Sequence, residues 1–282
     1  MALPALNFDH AIYGTGDLEA TRKAAQKLGF VVTPRGRHKG WGTGNYCVMF
    51  EQDYLEFLGM VDPAGESNGL DKFLASGGDG LLAITFGITD SALVAEQLRG
   101  RGLNPHGPHA LSRLLELPEG DIEPRFALTR LPPEEMPAIN GFLVEHLTPE
   151  LLRRPTWVRH PNAAVGIQSV TVAVENPEET ARAYEKLVGI SAVTPTDDTW
   201  AVHVGKQVIL FVTADDAAGL YSDDGTARGL PTICGITLKS SDLDQTYAAL
   251  KANKIPAERL PGGVIRVDRE DAVGAVMDFV RA

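Results

Sequence analysis

The chain has 282 residues, of which 44% are hydrophobic and 22% charged, a composition typical of a folded protein with one large core or two modest ones. Its formal net charge of -11 argues against a general affinity for nucleic acid or anionic membrane surfaces, because like charges repel. The sequence contains neither a membrane-length apolar run nor the basic and apolar regions of a signal peptide, so we expect a cytoplasmic protein that does not bind membranes.

The first predicted elements are a strand, a helix and three further strands within residues 8–63. The opening strand contains His10 and is followed by Asp17, whose acidic side chain suits the positive end of a helix. This helix is predicted to end at Leu28, because Gly29 tolerates left-handed backbone. Runs rich in β-branched and aromatic residues predict strands at 30–33, 46–50 and 54–60, and the basic, glycine-rich residues 35–45 predict a loop.

The same order of elements recurs three more times along the chain. The further units open with strand-like runs at residues 82–88, 168–174 and 232–238, each followed by a helical segment and more strand-like runs. Because such a unit has only one apolar face, it must pair with another unit to bury it. We therefore predict an α+β fold of four βαβββ units, paired into two domains with curved mixed sheets.

A segment rich in proline and arginine separates the second unit from the third. We predict an N-terminal domain at residues 1–150, a linker at 151–163 and a C-terminal domain at 164–282. Trp157 and His160 lie in this linker, and we expect them to pack one half of the protein on the other.

Two residues of the first unit predict a binding site. His10 lies on the opening strand, and Glu56 lies in the apolar run of the last strand. A carboxylate buried among large apolar residues is costly unless it is paired or bound to a cation. Imidazole and carboxylate groups on adjacent strands are suitable ligands for a divalent metal.

These residues also carry a resemblance. A histidine seven residues before Asp17, and a Tyr-Leu-Glu strand that follows the turn at residues 42–45, resemble the glyoxalase-like branch of the vicinal oxygen chelate superfamily. The resemblance implies a divalent metal such as zinc, manganese, nickel or iron. Its ligands would be His10, Glu56 and one residue of the pair Glu145 and His146, with open positions for a chelating substrate.

The other units lack an imidazole at the position of His10. Ala83, Ser169 and Gly235 occupy it, so the metal site is expected in the N-terminal half and the C-terminal half is expected to be degenerate. Glu145 and His146 are neighbours on a strand and should point to opposite faces. We favour His146 as the third ligand, because it would restore the missing nitrogen donor, and Glu145 as a candidate catalytic base.

Three further residues are candidates for substrate binding. Arg35 and His38 belong to a short basic cluster that could hold an anionic group at the mouth of the site, although a solvated loop explains the same residues. Asn45 follows a glycine-rich turn and could orient either that turn or a ligand.

The leading functional hypothesis is a metal-dependent enzyme that binds a small dicarbonyl or hydroxy-carbonyl substrate and stabilises an enolate or carbonyl by Lewis-acid chemistry. One alternative is a metal-free protein that binds or sequesters a small molecule, as bleomycin-resistance proteins do. Another is a ring-cleaving dioxygenase, although those enzymes hold their metal in the C-terminal repeats. Because the C-terminal half lacks the ligand positions, we expect it to be a scaffold, a lid or the surface of a homodimer.

Overall fold

The structure is a computed structural model that describes residues 3–223 and 225–282. The first unit has one helix, α1 (Leu18–Lys27), and four strands: β1 (Asn7–Gly14), β2 (Gly36–His38), β3 (Thr43–Met49) and β4 (Tyr54–Met60). After α2 (Leu70–Gly77), the second unit contains β5 (Gly80–Ile88), α3 (Ser91–Gly100), β6 (His106–Leu115), β7 (Arg125–Arg130) and β8 (Leu143–His146).

The second half of the chain follows the same order. Its third unit consists of β9 (Ala164–Ala173), α4 (Pro177–Ala183), α5 (Glu185–Val188), β10 (Val193–Thr196), β11 (Thr199–Val204) and β12 (Gln207–Val212). After α6 (Ala214–Leu220), its fourth unit consists of β13 (Thr232–Ser240), α7 (Leu243–Ala252), β14 (Glu258–Arg259), β15 (Ile265–Val267) and β16 (Val276–Arg281). The prediction of an α+β fold is confirmed.

The main helix of every unit starts in the same way. Asp17, Asp90, Asn176 and Asp242 precede α1, α3, α4 and α7, and the side chain of each accepts a hydrogen bond from a backbone N–H of the first turn. Such a cap satisfies a donor that the helix itself leaves without a partner. The recurrence of these caps explains why the helix starts are legible in the sequence.

The first eight strands form a closed sheet. Its order is β1-β4-β3-β2-β6-β7-β8-β5, and β5 pairs back onto β1 in antiparallel orientation. β13 joins this sheet through a pairing of Ile233 with Leu81, and β9, β12, β11 and β10 continue outward from β13. The closure of the first sheet brings residues from distant parts of the chain around one interior space.

The core does not stop at the predicted linker. One cluster of buried residues runs from Phe8 on β1 to Phe279 on β16. Within the linker, His160 is attached to the N-terminal half: its Nδ1 accepts the N–H of Val31, and its Nε2 lies 2.9 Å from the carbonyl oxygen of Met49. The division into domains at residues 151–163 stays a prediction.

Two local predictions were wrong. Residues 30–33 do not form a strand, although Thr33 donates a backbone hydrogen bond to Cys47. Residues 36–38 and 43–45, predicted as loop, form β2 and the start of β3, because β6 pairs with β2, β2 with β3, and β3 with β4. Both errors have one cause: a strand needs a neighbour, which local sequence does not reveal. Within the described ranges, no helix combines the length and apolar character required to cross a membrane.

Candidate active-site cavity

A cavity of about 460 Å³ lies inside the closed sheet of the N-terminal half. Alternate residues of the strands point into it, as the period of two requires. Its walls are mainly apolar and aromatic, formed by Ile12, Tyr54, Leu58, Phe126, Leu128 and Phe142. Its polar lining includes His10, His38, Asn45, Glu56 and Arg113. A few polar groups in an apolar concave space are typical of small-molecule sites.

His10 and Glu56 face each other in this cavity. They lie on the parallel neighbours β1 and β4, and His10 Nε2 is 3.3 Å from Glu56 Oε2. The other oxygen, Oε1, accepts a hydrogen bond of 2.7 Å from Asn45 Nδ2 and lies 3.7 Å from His38 Nε2. The ring of Tyr54 stacks on His10 with centroids 4.3 Å apart, which restricts the orientation of the imidazole.

Asp9 holds the other side of His10. A register shift between Phe8 and His10 leaves Asp9 out of the regular pairing of β1 with β5, which is how a β-bulge redirects a side chain. As a result, Asp9 Oδ1 lies 2.6 Å from His10 Nδ1, although neighbouring strand residues normally point to opposite faces. Thr85 Oγ1 lies 2.7 Å from the same nitrogen.

The protonation of this group follows from its contacts. Burial opposes ionisation of Glu56, but the hydrogen bond and charge of His10, with the charges of His38 and Arg113, lower its pKa to about 2. Burial also opposes the charged form of His10, but the hydrogen bonds to Asp9 and Glu56 raise its pKa overall. An imidazolium between two carboxylates is therefore the favoured state.

Arg113 supplies a second cation to the same space. It is 3% exposed and takes part in no salt bridge in the described chain; its Nη1 lies 3.4 Å from Cys47 Sγ. Its charge interacts with Glu56, which lowers the pKa of that carboxyl. Burial lowers the pKa of His38. The buried charges of Asp9 and Glu56 are thus balanced by those of His10 and Arg113.

The structure places the predicted site residues in different environments. His38 and Asn45 line the cavity together with His10 and Glu56. Arg35 instead pairs with Glu116, with its Nε 3.0 Å from Glu116 Oε2, and is not among the residues that line the cavity. This geometry does not support substrate binding by Arg35, because its charge is paired with that of Glu116.

Glu145 and His146 do point to opposite sides of β8, but neither lines the cavity. Glu145 Oε2 accepts the backbone N–H of Ser91 at 2.9 Å, at the start of α3. His146 Nε2 lies 3.0 Å from Asp9 Oδ2, so His146 contacts the carboxylate behind His10. The geometry gives Glu145 a role at a helix N-terminus and His146 a role in orienting Asp9.

The predicted set of three metal ligands does not converge. His10 Nε2 and Glu56 share the cavity, whereas the contact of His146 is with Asp9. Across residues 3–223 and 225–282, no group of three or more His, Cys, Asp or Glu side chains has an arrangement that could hold a metal ion. The residues therefore do not fit the metal site that the resemblance implies.

The corresponding region of the C-terminal half is filled by its own side chains. Asp278 accepts hydrogen bonds from Arg266 Nε at 2.8 Å and Nη2 at 2.7 Å. The hydroxyl of Tyr221 donates to Thr171 Oγ1 at 3.0 Å, and a Cβ atom at Gly235 would lie 2.9 Å from that hydroxyl. These contacts use the polar groups of the region for internal packing.

Sequence reasoning missed Asp9 and Arg113. Both are charged residues in apolar, strand-like surroundings. A charge buried among apolar residues is costly unless it is paired, so both residues, like Glu56, need buried partners. Their connection with His10 and Glu56 was not available from sequence, because it depends on the bulge at Asp9 and on β6 crossing to β2.

Comparisons with known proteins agree with this architecture. The family model described as a glyoxalase-like domain matches residues 8–188. A search of curated proteins by sequence found no match.

Among solved structures, a hypothetical protein from Staphylococcus aureus aligns over 98% of this chain and 100% of its own, with a TM-score of 0.68 and 12% identity. A mutant 4-hydroxymandelate synthase from Streptomyces coelicolor aligns over 99% of this chain and 93% of its own, with a TM-score of 0.63 and 13% identity. A fusion protein of a xylose isomerase-like TIM barrel and 4-hydroxyphenylpyruvate dioxygenase aligns over 98% of this chain and 49% of its own, with a TM-score of 0.58 and 12% identity. At these identities the likeness concerns the fold.

Proposed function

This chain belongs to the glyoxalase-like domain family, and we propose that the cavity of its N-terminal half is the active site of an enzyme. Its substrate is a small, partly apolar molecule with a carbonyl or hydroxyl oxygen. The observation that carries this proposal is the contact of 3.3 Å between His10 and Glu56 within the 460 Å³ cavity. That volume falls in the range of roughly 300 to 1,000 Å³ that small-molecule sites usually have.

We assign His10 the role of hydrogen-bond donor to the substrate oxygen. Its protonated imidazole carries a proton on Nε2, the nitrogen that faces Glu56. A donor that is already oriented by Asp9 and Tyr54 stabilises negative charge that develops on a carbonyl oxygen, at little cost of reorganisation. Arg113 adds a second positive charge in a region of low water content.

Glu56 is the candidate base. Its lowered pKa keeps it ionised, and Asn45 fixes one of its oxygens at 2.7 Å. A carboxylate that is hydrogen-bonded in this way is a weak base, so the reaction depends on His10 moving its hydrogen bond from Glu56 to the substrate. That exchange frees Glu56 Oε2 to accept a proton from a carbon next to the carbonyl group.

Proton exchange tests this assignment. Small ketones, aldehydes and hydroxy-ketones are incubated with the protein in deuterated buffer, and deuterium at the carbon next to the carbonyl is followed by NMR. We expect exchange with the unmodified protein and its loss in His10→Gln. His106→Gln is the matched control, because His106 is exposed and does not line the cavity. Equal exchange in the His10 variant would contradict the assignment.

A metal-dependent form of this reaction stays a prediction. It is tested by metal analysis of protein purified without chelators, compared with His10→Ala and Glu56→Ala. Stoichiometric metal that is lost in both variants would support it and would require a third ligand other than His146. A cytoplasmic location and a homodimer likewise stay predictions.

A metal-free binding protein is the second candidate. It is favoured by the fact that Glu56 already receives hydrogen bonds or charge from Asn45, His10 and Arg113, so the carboxylate has no need of a cation. This candidate predicts that a ligand stabilises the protein against heat while no deuterium exchange occurs. The exchange experiment therefore separates the two.

A further inference from the structure

A second cavity, of about 640 Å³, lies where the two halves of the chain meet. The N-terminal half contributes residues of α2, β5 and the segment between β7 and β8. The C-terminal half contributes residues 228–233. We call this space the junction cavity. It is separate from the candidate active site, and Arg130 lines both.

The charge of the junction cavity is unusual for this protein. Two arginines line it, Arg130 and Arg228, and none of the described residues that line it is an Asp or Glu. The whole chain, in contrast, carries a formal net charge of -11. A basic cavity free of acidic side chains is suited to an anion, because the approaching charge meets no repulsion within the cavity.

Neither arginine forms a salt bridge with a described carboxylate, although the charge of Asp79, which does not line the cavity, acts on Arg228. Arg130 forms no salt bridge with any described residue, and its guanidinium lies 5.1 Å from the ring centroid of Phe142. Arg228 Nη2 donates to the carbonyl oxygens of Gly77, Gly78 and Asp79, each at 3.1 Å. Carbonyl groups orient a guanidinium without neutralising it. An anion in the cavity would therefore be attracted by both arginines.

The charged side chain of Arg228 is also held in a fixed position. Its guanidinium stacks 4.2 Å from the ring centroid of Phe73, and a Cβ atom at Gly77 would lie 2.6 Å from the Arg228 Cβ. Burial and the nearby charge of Arg269 lower the pKa of Arg228, and the charge of Asp79 offsets part of this change. Its Nη1 is buried and has no hydrogen-bond partner among the described residues. A cation held in this way is preorganised for a counter-ion and is only partly compensated by the protein.

The rest of the lining is largely apolar and includes Leu81, Leu82, Leu131, Met136, Leu230 and Ile233. We propose that the junction cavity binds a small organic anion with an apolar body, of the class of medium-chain or aryl monocarboxylates. The carboxylate lies towards Arg130 and Arg228, and the apolar body lies against the leucine and methionine side chains. This site is independent of the chemistry assigned to His10.

Octanoate is a suitable probe, with octanamide as its uncharged counterpart. Binding to the full chain is measured by calorimetry. We expect octanoate to bind and octanamide to bind about tenfold or more weakly, because it lacks the charge that pairs with guanidinium groups. Equal binding of the two probes would overturn the proposal, since it would show an apolar cavity without anion recognition.

Variants in the two cavities show which of them binds octanoate. Ser76 lines the junction cavity on the exposed side of α2, so Ser76→Glu adds a carboxylate without disturbing the core, and Ser76→Gln is its neutral match. We expect octanoate affinity to fall about tenfold in Ser76→Glu and to persist in Ser76→Gln. Leu111 lines the active-site cavity and does not line the junction cavity. Loss of binding in Leu111→Glu with retention in Ser76→Glu would place the anion at the active site and overturn the proposal.

Discussion

Glu56→Gln tests the electrostatics of the active-site cavity most directly. The substitution keeps the shape of the side chain and removes its charge from a position that is 7% exposed. In the folded protein the pKa of Glu56 falls from 4.5 to about 2, because the partners His10, His38 and Arg113 outweigh the cost of burial. At about 1.36 kcal/mol per pKa unit, the ionised form contributes roughly 3 kcal/mol to the free energy of unfolding.

The sign of the pH dependence follows from this lowered pKa. A carboxyl group that is more acidic in the folded state stabilises the protein fully above pH 4.5, and this stabilisation is lost as the pH falls towards 2. We therefore expect Glu56→Gln to lower the free energy of unfolding by roughly 3 kcal/mol at pH 7 and by less than half of that at pH 3.

Urea denaturation followed by tryptophan fluorescence measures both differences. Glu51→Gln is the matched control, since Glu51 is exposed and its substitution should change the free energy of unfolding by no more than about 0.5 kcal/mol. A Glu56→Gln protein as stable as the unmodified protein at pH 7 would refute the reasoning. A loss of stability that is equally large at pH 3 would also refute it, because the loss would then come from packing and not from charge.

Three further predictions concern other buried groups. In Asp9→Asn, NMR titration should show a lower pKa for His10, because the hydrogen bond and charge that raise it are lost; an unchanged pKa would contradict this. Burial raises the pKa of Asp53 to about 6, so the stability of the protein falls as the pH rises from 3.8 through 6. Denaturation should therefore find Asp53→Asn more stable than the unmodified protein by at most about 3 kcal/mol at pH 8 and no more stable at pH 3. In Gly235→Ala, the new Cβ would lie 2.9 Å from the Tyr221 hydroxyl, and a loss of about 1 to 3 kcal/mol is expected on thermal unfolding.

Much of the architecture was determined by the sequence itself. Strands are rich in β-branched and aromatic residues, and the main helices begin at Asp or Asn caps, so both kinds of element leave a local signal. The same reasoning identified His10 and Glu56, because a polar group inside an apolar strand must have a partner. Their separation of 3.3 Å agrees with that expectation.

The composition of the site was decided by the tertiary structure. The bulge at Asp9 turns a carboxylate towards His10 against the normal alternation of a strand, and this shift depends on how β1 pairs with β5. Glu145 and His146 follow the expected alternation, but what each side chain meets, the start of α3 or Asp9, depends on where β8 lies in the closed sheet.

Arg113 shows most clearly why the tertiary structure decides which charges meet in the site. It lies 57 positions after Glu56 in the chain, and its charge reaches that carboxylate only because β6 pairs with β2 and closes the sheet around the cavity. Local propensity determines which residues form strands and which side chains must be buried. Which charges then compensate one another is set by strand order and register, and these arise from contacts between residues far apart in sequence.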